Sequence, residues 1–164
     1  MPDEQNTVLR IIDANLNRSF EALRTIEEYT RFILDEQILT KTVKQMRHEL
    51  QGLAQQISFE QRILARDSAG DVGRSVTTSS EYQRDSVSQV VLAAFGRLKQ
   101  SLRALEEYSK VIAAELGGAF ERLRYQTYDL EKLLISQQTV KGIFKSLTVY
   151  GLVTGGKSTT DFQS

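Results

Sequence analysis

The chain has 164 residues with 21 basic and 21 acidic side chains, so its formal net charge is zero. That balance gives no reason to expect binding along the phosphate backbone of DNA or RNA. The absence of cysteine excludes disulfides and thiolate chemistry, and the single histidine, His48, excludes a metal site with two histidine ligands from one chain. No apolar run approaches the roughly 18 residues of a membrane-spanning helix, and the acidic N-terminus lacks the apolar segment of a secretory signal. We therefore expect one cytoplasmic domain, with or without a short extension, that binds neither nucleic acid nor membranes.

Apolar residues that recur every three or four positions predict four helices. The first apolar stripe runs from Val8 to Ile33 and the second from Val43 to Ile57. The third runs from Val87 to Ile112 and the fourth from Phe120 to Leu134. Gly117–Gly118 is expected to separate helices three and four, because glycine commonly follows the C-terminus of a helix.

Two capping boxes flank a non-helical stretch in the middle of the chain. Ser58 with Gln61 predicts the start of a short helix, and Thr78 with Glu81 predicts the start of helix three. The stretch 66–75 between them shows no helical period. It is either a functional loop or a flexible linker between two halves.

An internal repeat relates the two halves of the chain. Residues 23–29 (LRTIEEY) match residues 102–108 (LRALEEY) at an offset of 79 positions. After the turn in each half, Met46–Arg47 matches Leu123–Arg124 at an offset of 77. The sequence therefore predicts an all-α bundle of two repeated helical hairpins, related by a pseudo-twofold axis and joined by the central loop.

The C-terminal segment differs from the rest. Leu147–Val153 is β-prone, and a lone strand is not stable without a sheet. We expect residues 1–140 to form the helical domain. Residues 141–164 would then be a linker and the first strand of a further domain.

The same segment contains a match to a phosphate-binding loop. Gly151, Gly156, Lys157 and Ser158 fit the pattern G-x-x-x-x-G-K-[ST] after the β-prone run. Such a loop needs a following helix and a parallel sheet, and only six residues follow Ser158. A chance match is the favoured interpretation.

Several polar residues lie within or beside the apolar stripes. Asn15 lies inside the first stripe, so its buried amide must find a partner, whereas the matching residue of the second half is Ala94. Arg18, Arg47 and Arg124 lie at stripe edges, where guanidinium groups could converge on phosphates. The alternative is ion pairing between helices, with Glu21, Glu27, Glu28, Glu106 and Glu107 as the available partners. Arg24–Glu28 and Arg103–Glu107 are spaced as pairs on one helix face and could simply be solvated.

The central loop offers carboxylates and glycines. Asp67 and Asp71 could hold Mg²⁺, which often uses one or two carboxylates together with phosphate oxygens. Gly70 and Gly73 would let backbone amides approach an anion. The alternative is a capped turn without a ligand.

These residues also carry a family resemblance. The chain resembles the N-terminal helical domain of a class of bacterial thiamine-phosphate synthases over roughly residues 8–136, and its tail is similar to the first barrel strand of the synthase domain that follows in that class. The motifs occur in order and are Asn15-x-x-Arg18-x-x-Glu21, Glu27-Glu28-Tyr29, Arg47-His48, Arg66-Asp67, Asp71-Val72-Gly73, Glu81-Tyr82-Gln83-Arg84, Arg97 and Glu106-Glu107-Tyr108. The second half departs from the pattern with Ala94 and Gln100, where the first half has Asn15 and Glu21.

The resemblance implies a kinase that converts hydroxymethylpyrimidine phosphate to its diphosphate with ATP and Mg²⁺. With that reaction in view, Asp67 and Asp71 are expected to be catalytic and to bind Mg²⁺, and Asn15 to read the edge of the aminopyrimidine. The residues expected to bind substrate or phosphate are Asn15, Arg18, Arg24, Arg47, Arg66, Gly73 and Arg97. The expected partners are a pyrimidine phosphate, a nucleotide and an attached synthase barrel, and a homodimer is one arrangement open to the chain. The alternative is a non-catalytic helical module that dimerises, binds substrate or regulates the synthase.

Overall fold

The computed structural model describes residues 4–72 and 84–155, with side chains up to position 139. Every regular element in these two ranges is helical, which confirms the predicted all-α class. The elements are α1 (Glu4–Glu28), a π-helical turn (Tyr29–Ile33), α2 (Gln37–Gln55), α3 (Phe59–Leu64), α4 (Val87–Ser109) and α5 (Ala114–Gly155). The described residues fall into two compact units, one up to Tyr128 and one from Asp129 onward.

In the first unit, α1 forms the centre of the core. It packs most extensively against α4 and also contacts α2 and α3. Ile12, Leu16 and Leu23 of its apolar face are fully buried, as the helical period of the stripe requires. Within this interface the hydroxyls of Ser19 and Ser101 are 2.7 Å apart and hydrogen-bond to each other, so these buried polar atoms have partners.

The repeat seen in the sequence appears in the structure as a repeated ion pair. In the first half, Arg47 of α2 donates to Glu27 of α1 at 2.5 Å. At the equivalent positions of the second half, Arg124 of α5 donates to Glu106 of α4 at 2.9 Å. Both glutamates are nearly inaccessible to solvent, with 3% of their surface exposed. Each hairpin is therefore closed by the same contact between an arginine and a buried glutamate.

One of the two predicted capping boxes can be compared directly with the structure. Ser58 caps α3 by accepting a hydrogen bond from the Gln61 amide at 3.3 Å, which confirms the first capping box. The Thr78–Glu81 box lies outside the described residues. The structure instead begins α4 at Val87, where the Ser86 hydroxyl accepts from the Gln89 amide at 3.2 Å. The chain therefore contains a second S-x-x-Q box, directly before the apolar stripe.

The prediction that Gly117–Gly118 separates helices three and four is wrong. The chain turns at Lys110–Ala113, and both glycines lie inside the first turns of α5. A Cβ atom on Gly117 would lie 2.6 Å from Cγ of Lys110 and 3.0 Å from the Glu106 carbonyl oxygen. Gly117 therefore allows α5 to approach the end of α4 closely, which is a different use of glycine from ending a helix.

The structure also differs from the prediction at the C-terminal segment. Residues 147–153, where a strand was expected, are helical and continue α5 to Gly155. A strand needs neighbours for its hydrogen bonds and a helix satisfies its own, and the described residues offer this segment no sheet. The division into 1–140 and 141–164 stays a prediction. The lysine and serine of the phosphate-loop match, Lys157 and Ser158, lie outside the described residues.

Candidate functional site

A polar cleft lies between the N-terminal half of α1 and the chain that follows α3. Its volume is about 540 Å³, within the range of roughly 300–1,000 Å³ that is common for small-molecule sites. Five of the residues singled out in the sequence line it together: Asn15, Arg18, Arg66, Asp67 and Asp71. Two helical turns and a loop more than 45 residues away in the sequence thus contribute to one surface.

A buried carboxylate that the sequence reasoning missed, Asp13, organises the wall of this cleft. Only 3% of Asp13 is exposed. It accepts two hydrogen bonds from Arg66, from Nε at 2.6 Å and from Nη2 at 3.1 Å, and a third from Arg62 Nη1 at 3.3 Å. Asn17 Nδ2 adds a fourth at 3.3 Å. A buried charge is tolerated when it is paired and hydrogen-bonded in this way.

The side chain of Arg66 is held but remains available to a ligand. The hydrogen bonds to Asp13 raise the pKa of Arg66 above its ordinary value, so the guanidinium stays charged. Its Nη1 atom makes no hydrogen bond to any residue that the structure describes, and 44% of the side chain is exposed. Fixing two of the three guanidinium nitrogens in advance reduces the entropy lost when the third binds an anion.

The side-chain amide of Asn15 uses its nitrogen for a hydrogen bond within α1. Its Nδ2 donates to the Ile11 carbonyl one turn earlier, at 2.8 Å, and the residue is 8% exposed. Its Oδ1 atom makes no hydrogen bond within the described part of the chain. The side chain therefore offers the cleft one fixed acceptor, which suits an amino group on a heterocycle.

The loop after α3 is shaped by a turn that Asp67 stabilises. Asp67 Oδ1 accepts from the Gly70 amide at 2.8 Å, and the Arg10 guanidinium donates to the Asp67 carbonyl at 3.3 Å. A Cβ atom on Gly70 would lie 2.3 Å from Asp67 Oδ2, so any larger residue there would displace the Asp67 carboxylate. The predicted capped turn and the predicted carboxylate of the cleft are one feature.

Positive charge in the cleft comes from three arginines. Arg66 is offset by Asp13, whereas Arg18 is exposed and makes no ion pair or side-chain hydrogen bond with residues 4–72 or 84–155. Arg10, which the sequence reasoning missed, is the third. Guanidinium groups that surround a polar cleft suit a phosphate ester.

Other predicted arginines lie elsewhere. Arg47 does not line the cleft and forms an ion pair with Glu27, the alternative that the sequence left open; its role as a phosphate ligand stays a prediction. Arg24 Nη1 lies 3.9 Å from the same Glu27 carboxylate, and its side chain is 61% exposed. Neither Arg24 nor Arg97 lines the cleft, and the buried Nε of Arg97 lacks a hydrogen-bond partner among the described residues. Gly73 lies outside the described residues.

Among the described residues, only the first half of the repeat has the buried carboxylate and the amide that form the wall of the cleft. At the offset of 79 positions, Asp13 corresponds to Leu92 and Asn15 to Ala94. Leu92 is partly exposed and Ala94 is fully buried. Without the carboxylate and the amide, the second half cannot build the same site.

The acidic residues of the cleft limit what kind of metal it can hold. Within the described ranges, no three acidic or histidine side chains gather closely enough to form a complete protein cage for a cation. Asp67 and Asp71 supply two carboxylates at the edge of the same cleft. That set fits Mg²⁺ bound partly by the protein and partly by the oxygens of a phosphorylated ligand.

Comparison with known proteins places these observations in a family. Residues 10–133 match the ThiD2 family, a range that includes Asn15, Arg18, Arg66, Asp67 and Asp71 of the cleft. The chain belongs to the ThiD2 family. It is 47% identical over 125 residues to the thiamine-phosphate synthase of Rhodopirellula baltica, and 41% identical over 142 residues to that of Nostoc punctiforme.

The match covers most of this chain and a smaller part of each relative. It spans 76% and 87% of the chain, but 33% and 39% of the two thiamine-phosphate synthases. The chain thus matches little more than a third of the length of these relatives. No solved structure matches. Among the described helices, none is both long and apolar enough to cross a lipid bilayer.

Proposed function

We propose that the chain phosphorylates hydroxymethylpyrimidine phosphate to its diphosphate, with ATP as the phosphoryl donor, in thiamine biosynthesis. The observation that carries the proposal is the single cleft that gathers Arg18, Arg66, Asp67 and Asp71 around the Asn15 amide. Family membership and relatives named thiamine-phosphate synthase support the pathway. We further propose that the cytoplasm is where it acts and that a synthase domain is its partner in the longer proteins.

The reaction needs positioning and charge neutralisation more than a strong base. An oxygen of the acceptor's phosphate, already ionised at neutral pH, attacks the terminal phosphorus of ATP. A new P–O bond forms, the bond to the bridging oxygen of ATP breaks, and ADP leaves with that electron pair. No proton has to be removed from the attacking oxygen.

The residues of the cleft fit these steps. Arg18 and Arg66 would bind the acceptor phosphate and the group in transfer, and Asn15 Oδ1 would accept from the amino group of the pyrimidine. Asp67 and Asp71 would hold Mg²⁺, which neutralises phosphate oxygens when bound with the nucleotide. Asp67 is positioned for this role because the Gly70 amide fixes its other oxygen.

A non-catalytic module is the second candidate, and one surface feature favours it. Phe32, Ile33, Val87 and Val90 line a small groove between the π-helical turn and the start of α4, and all four are more than one-third exposed. Apolar side chains grouped in this way are typical of contact surfaces. A chain that docks on a synthase or on a second copy without phosphoryl transfer would use this groove.

Phosphorus NMR of the purified chain with ATP, Mg²⁺ and hydroxymethylpyrimidine phosphate tests the proposal. We expect new diphosphate resonances together with a matching amount of ADP. The variant Asp71→Asn should lower turnover at least 100-fold, while the control Asp35→Asn should leave it unchanged. Asp35 is exposed and has a left-handed φ of 49°, which asparagine tolerates well. Absence of turnover in a folded chain that forms dimers would favour the module.

A further inference from the structure

A second cavity lies on the other side of the Asp13–Arg66 ion pair. Its volume is about 470 Å³, and it is bounded by α1, by the last turns of α2 and by α3. The side chains that give it its character are Asn17, Phe20, Gln51, Gln55, Phe59 and Arg62. Arg66 lines this cavity and the polar cleft alike, so one guanidinium forms part of the wall of both.

The chemistry of this second cavity differs from that of the cleft. No carboxylate is among its described lining residues, so it does not suit a metal ion. Its two phenylalanines offer flat apolar faces, and Phe59 is 68% exposed. Such an exposed ring beside a concave surface is a platform on which a heteroaromatic ring can stack.

The polar groups of the cavity are amides and guanidinium groups. The carboxamides of Gln51 and Gln55 make no hydrogen bond within the described part of the chain, and each carries both donors and an acceptor. That combination recognises the edge of a nucleobase, which also alternates donors and acceptors. Arg62 is 8% exposed, and its guanidinium carbon lies 5.6 Å from the centre of the Phe59 ring. Its buried Nε has no partner among the described residues.

Arg66 links the two cavities in a way that suits a transfer between two ligands. A nucleotide whose base stacks on Phe59 would extend its phosphates toward Arg66. The pyrimidine phosphate in the cleft would place its own phosphate near the same guanidinium. Asp13 holds that guanidinium through Nε and Nη2, so it stays fixed between the two.

We propose that this second cavity binds the purine base of the phosphoryl donor, and that Arg66 is the residue at which the phosphates of the two substrates meet. The proposal rests on the proposed kinase function and adds the site of the nucleotide. It assigns the stacking face to Phe59 and the reading of the base edge to Gln51 and Gln55. The acceptor's pyrimidine stays with Asn15 in the polar cleft.

Calorimetric titration of the chain with Mg²⁺–ADP, and separately with hydroxymethylpyrimidine phosphate, tests the assignment. Phe59→Ala should weaken ADP binding about ten-fold, because a stacked base loses its aromatic partner, and should leave binding of the pyrimidine phosphate unchanged. Phe32→Ala is the matched control and should not change ADP binding. Phe32 is also 68% exposed and also lies beside an arginine, Arg31. It lines the apolar groove between the π-helical turn and α4, not the second cavity. Gln51→Leu should weaken ADP binding, and it should reduce the ratio of the affinity for ADP to the affinity for GDP.

Each outcome bears on the proposal separately from the kinase function. ADP binding that is lost in Phe59→Ala, in a chain without phosphoryl transfer, would support the nucleotide site and refute the kinase. If the wild-type chain is active and both Phe59→Ala and Gln51→Leu bind ADP as tightly as it does, the nucleotide site is refuted and the kinase function is not. Weakened binding of the pyrimidine phosphate with ADP unaffected would assign the cavity to the acceptor and also overturn the proposal, as would failure of the wild-type chain to bind ADP.

Discussion

Replacing Asp13 by asparagine separates the charge of this residue from its shape. The carboxylate is 3% exposed and receives hydrogen bonds from Arg62 and Arg66. Asparagine keeps an oxygen that can accept one of these bonds, but it carries no charge and leaves two guanidinium groups without their counter-ion. The free energy of unfolding should therefore fall, and the fixed orientation of Arg66 should be lost.

The size of the effect depends on how exposed each arginine is. Arg66 is 44% exposed along its side chain and can turn to water, so its share is small, as for exposed ion pairs. Arg62 is 9% exposed along its side chain and cannot. Removing one partner of a buried pair costs about 3–5 kcal/mol, and the retained acceptor returns about 1 kcal/mol. We expect Asp13→Asn to lower the free energy of unfolding by about 2–4 kcal/mol.

Urea unfolding followed by far-ultraviolet circular dichroism measures this loss. In a chain of this length it corresponds to a fall in Tm of roughly 4–16 °C. A double-mutant cycle with Arg62→Gln isolates the pair, and its coupling energy should exceed about 1 kcal/mol. Asp35→Asn serves as the control for loss of one acidic charge, because Asp35 is exposed and lies outside the cleft.

Two results would refute this reasoning. If Asp13→Asn and Asp35→Asn had the same stability within about 0.5 kcal/mol, the buried network would contribute nothing to the fold. If the cycle showed no coupling although Asp13→Asn was destabilised, the loss would come from packing around Asp13 and not from its ion pairs.

Two further changes probe the cleft itself. Gly70→Ala would place a methyl carbon 2.3 Å from the present position of Asp67 Oδ2, so the carboxylate would have to move. Turnover should fall at least ten-fold in a steady-state assay coupled to ADP formation, while Tm stays within about 2 °C. Full activity would show that the Asp67 turn is not needed. Asn15→Ala removes the cleft acceptor, so calorimetry should show that the pyrimidine phosphate binds at least ten-fold more weakly. Stability should not fall, because the second half of the chain already has alanine at the equivalent position, Ala94. Unchanged affinity would remove Asn15 from the site.

The helical scaffold was predictable because its signals are local. Leu23 and Leu102 lie in matching apolar stripes with a helical period, and burial of such stripes largely decides an all-α fold. The start of α4 was not predicted, because two capping boxes precede the stripe and the nearer one, at Ser86, was overlooked. Gly117 was predicted to end a helix, but it lies within α5 and allows a close contact with the end of α4. That role depends on the approach of another helix, which a single sequence does not reveal.

The candidate site was predictable to the extent that polar residues stood out from an apolar pattern. Asn15 interrupts the first stripe, and this irregularity led to the cleft. Asp13 could have been found in the same way, because it lies four positions after Leu9 and three before Leu16, on an apolar face of α1. A further hint was that Arg62 and Arg66, two basic residues at and just past the end of α3, need an acidic partner if they are drawn toward the core.

The two halves of the chain separate the requirements of folding from those of binding. Both halves keep the arginine–glutamate pairs Glu27–Arg47 and Glu106–Arg124, so these contacts belong to the shared hairpin. Where the halves differ, at Asp13 and Asn15, only the first half forms the polar cleft. The equivalent helix of the second half, α4, forms with Leu92 and Ala94 at these positions. The polar side chains of Asp13 and Asn15 are therefore not needed for a helix to form there. Asp13 pairs with Arg62 and Arg66 and so fixes one wall of the cleft, and Asn15 leaves its Oδ1 atom for the ligand that we propose the cleft binds.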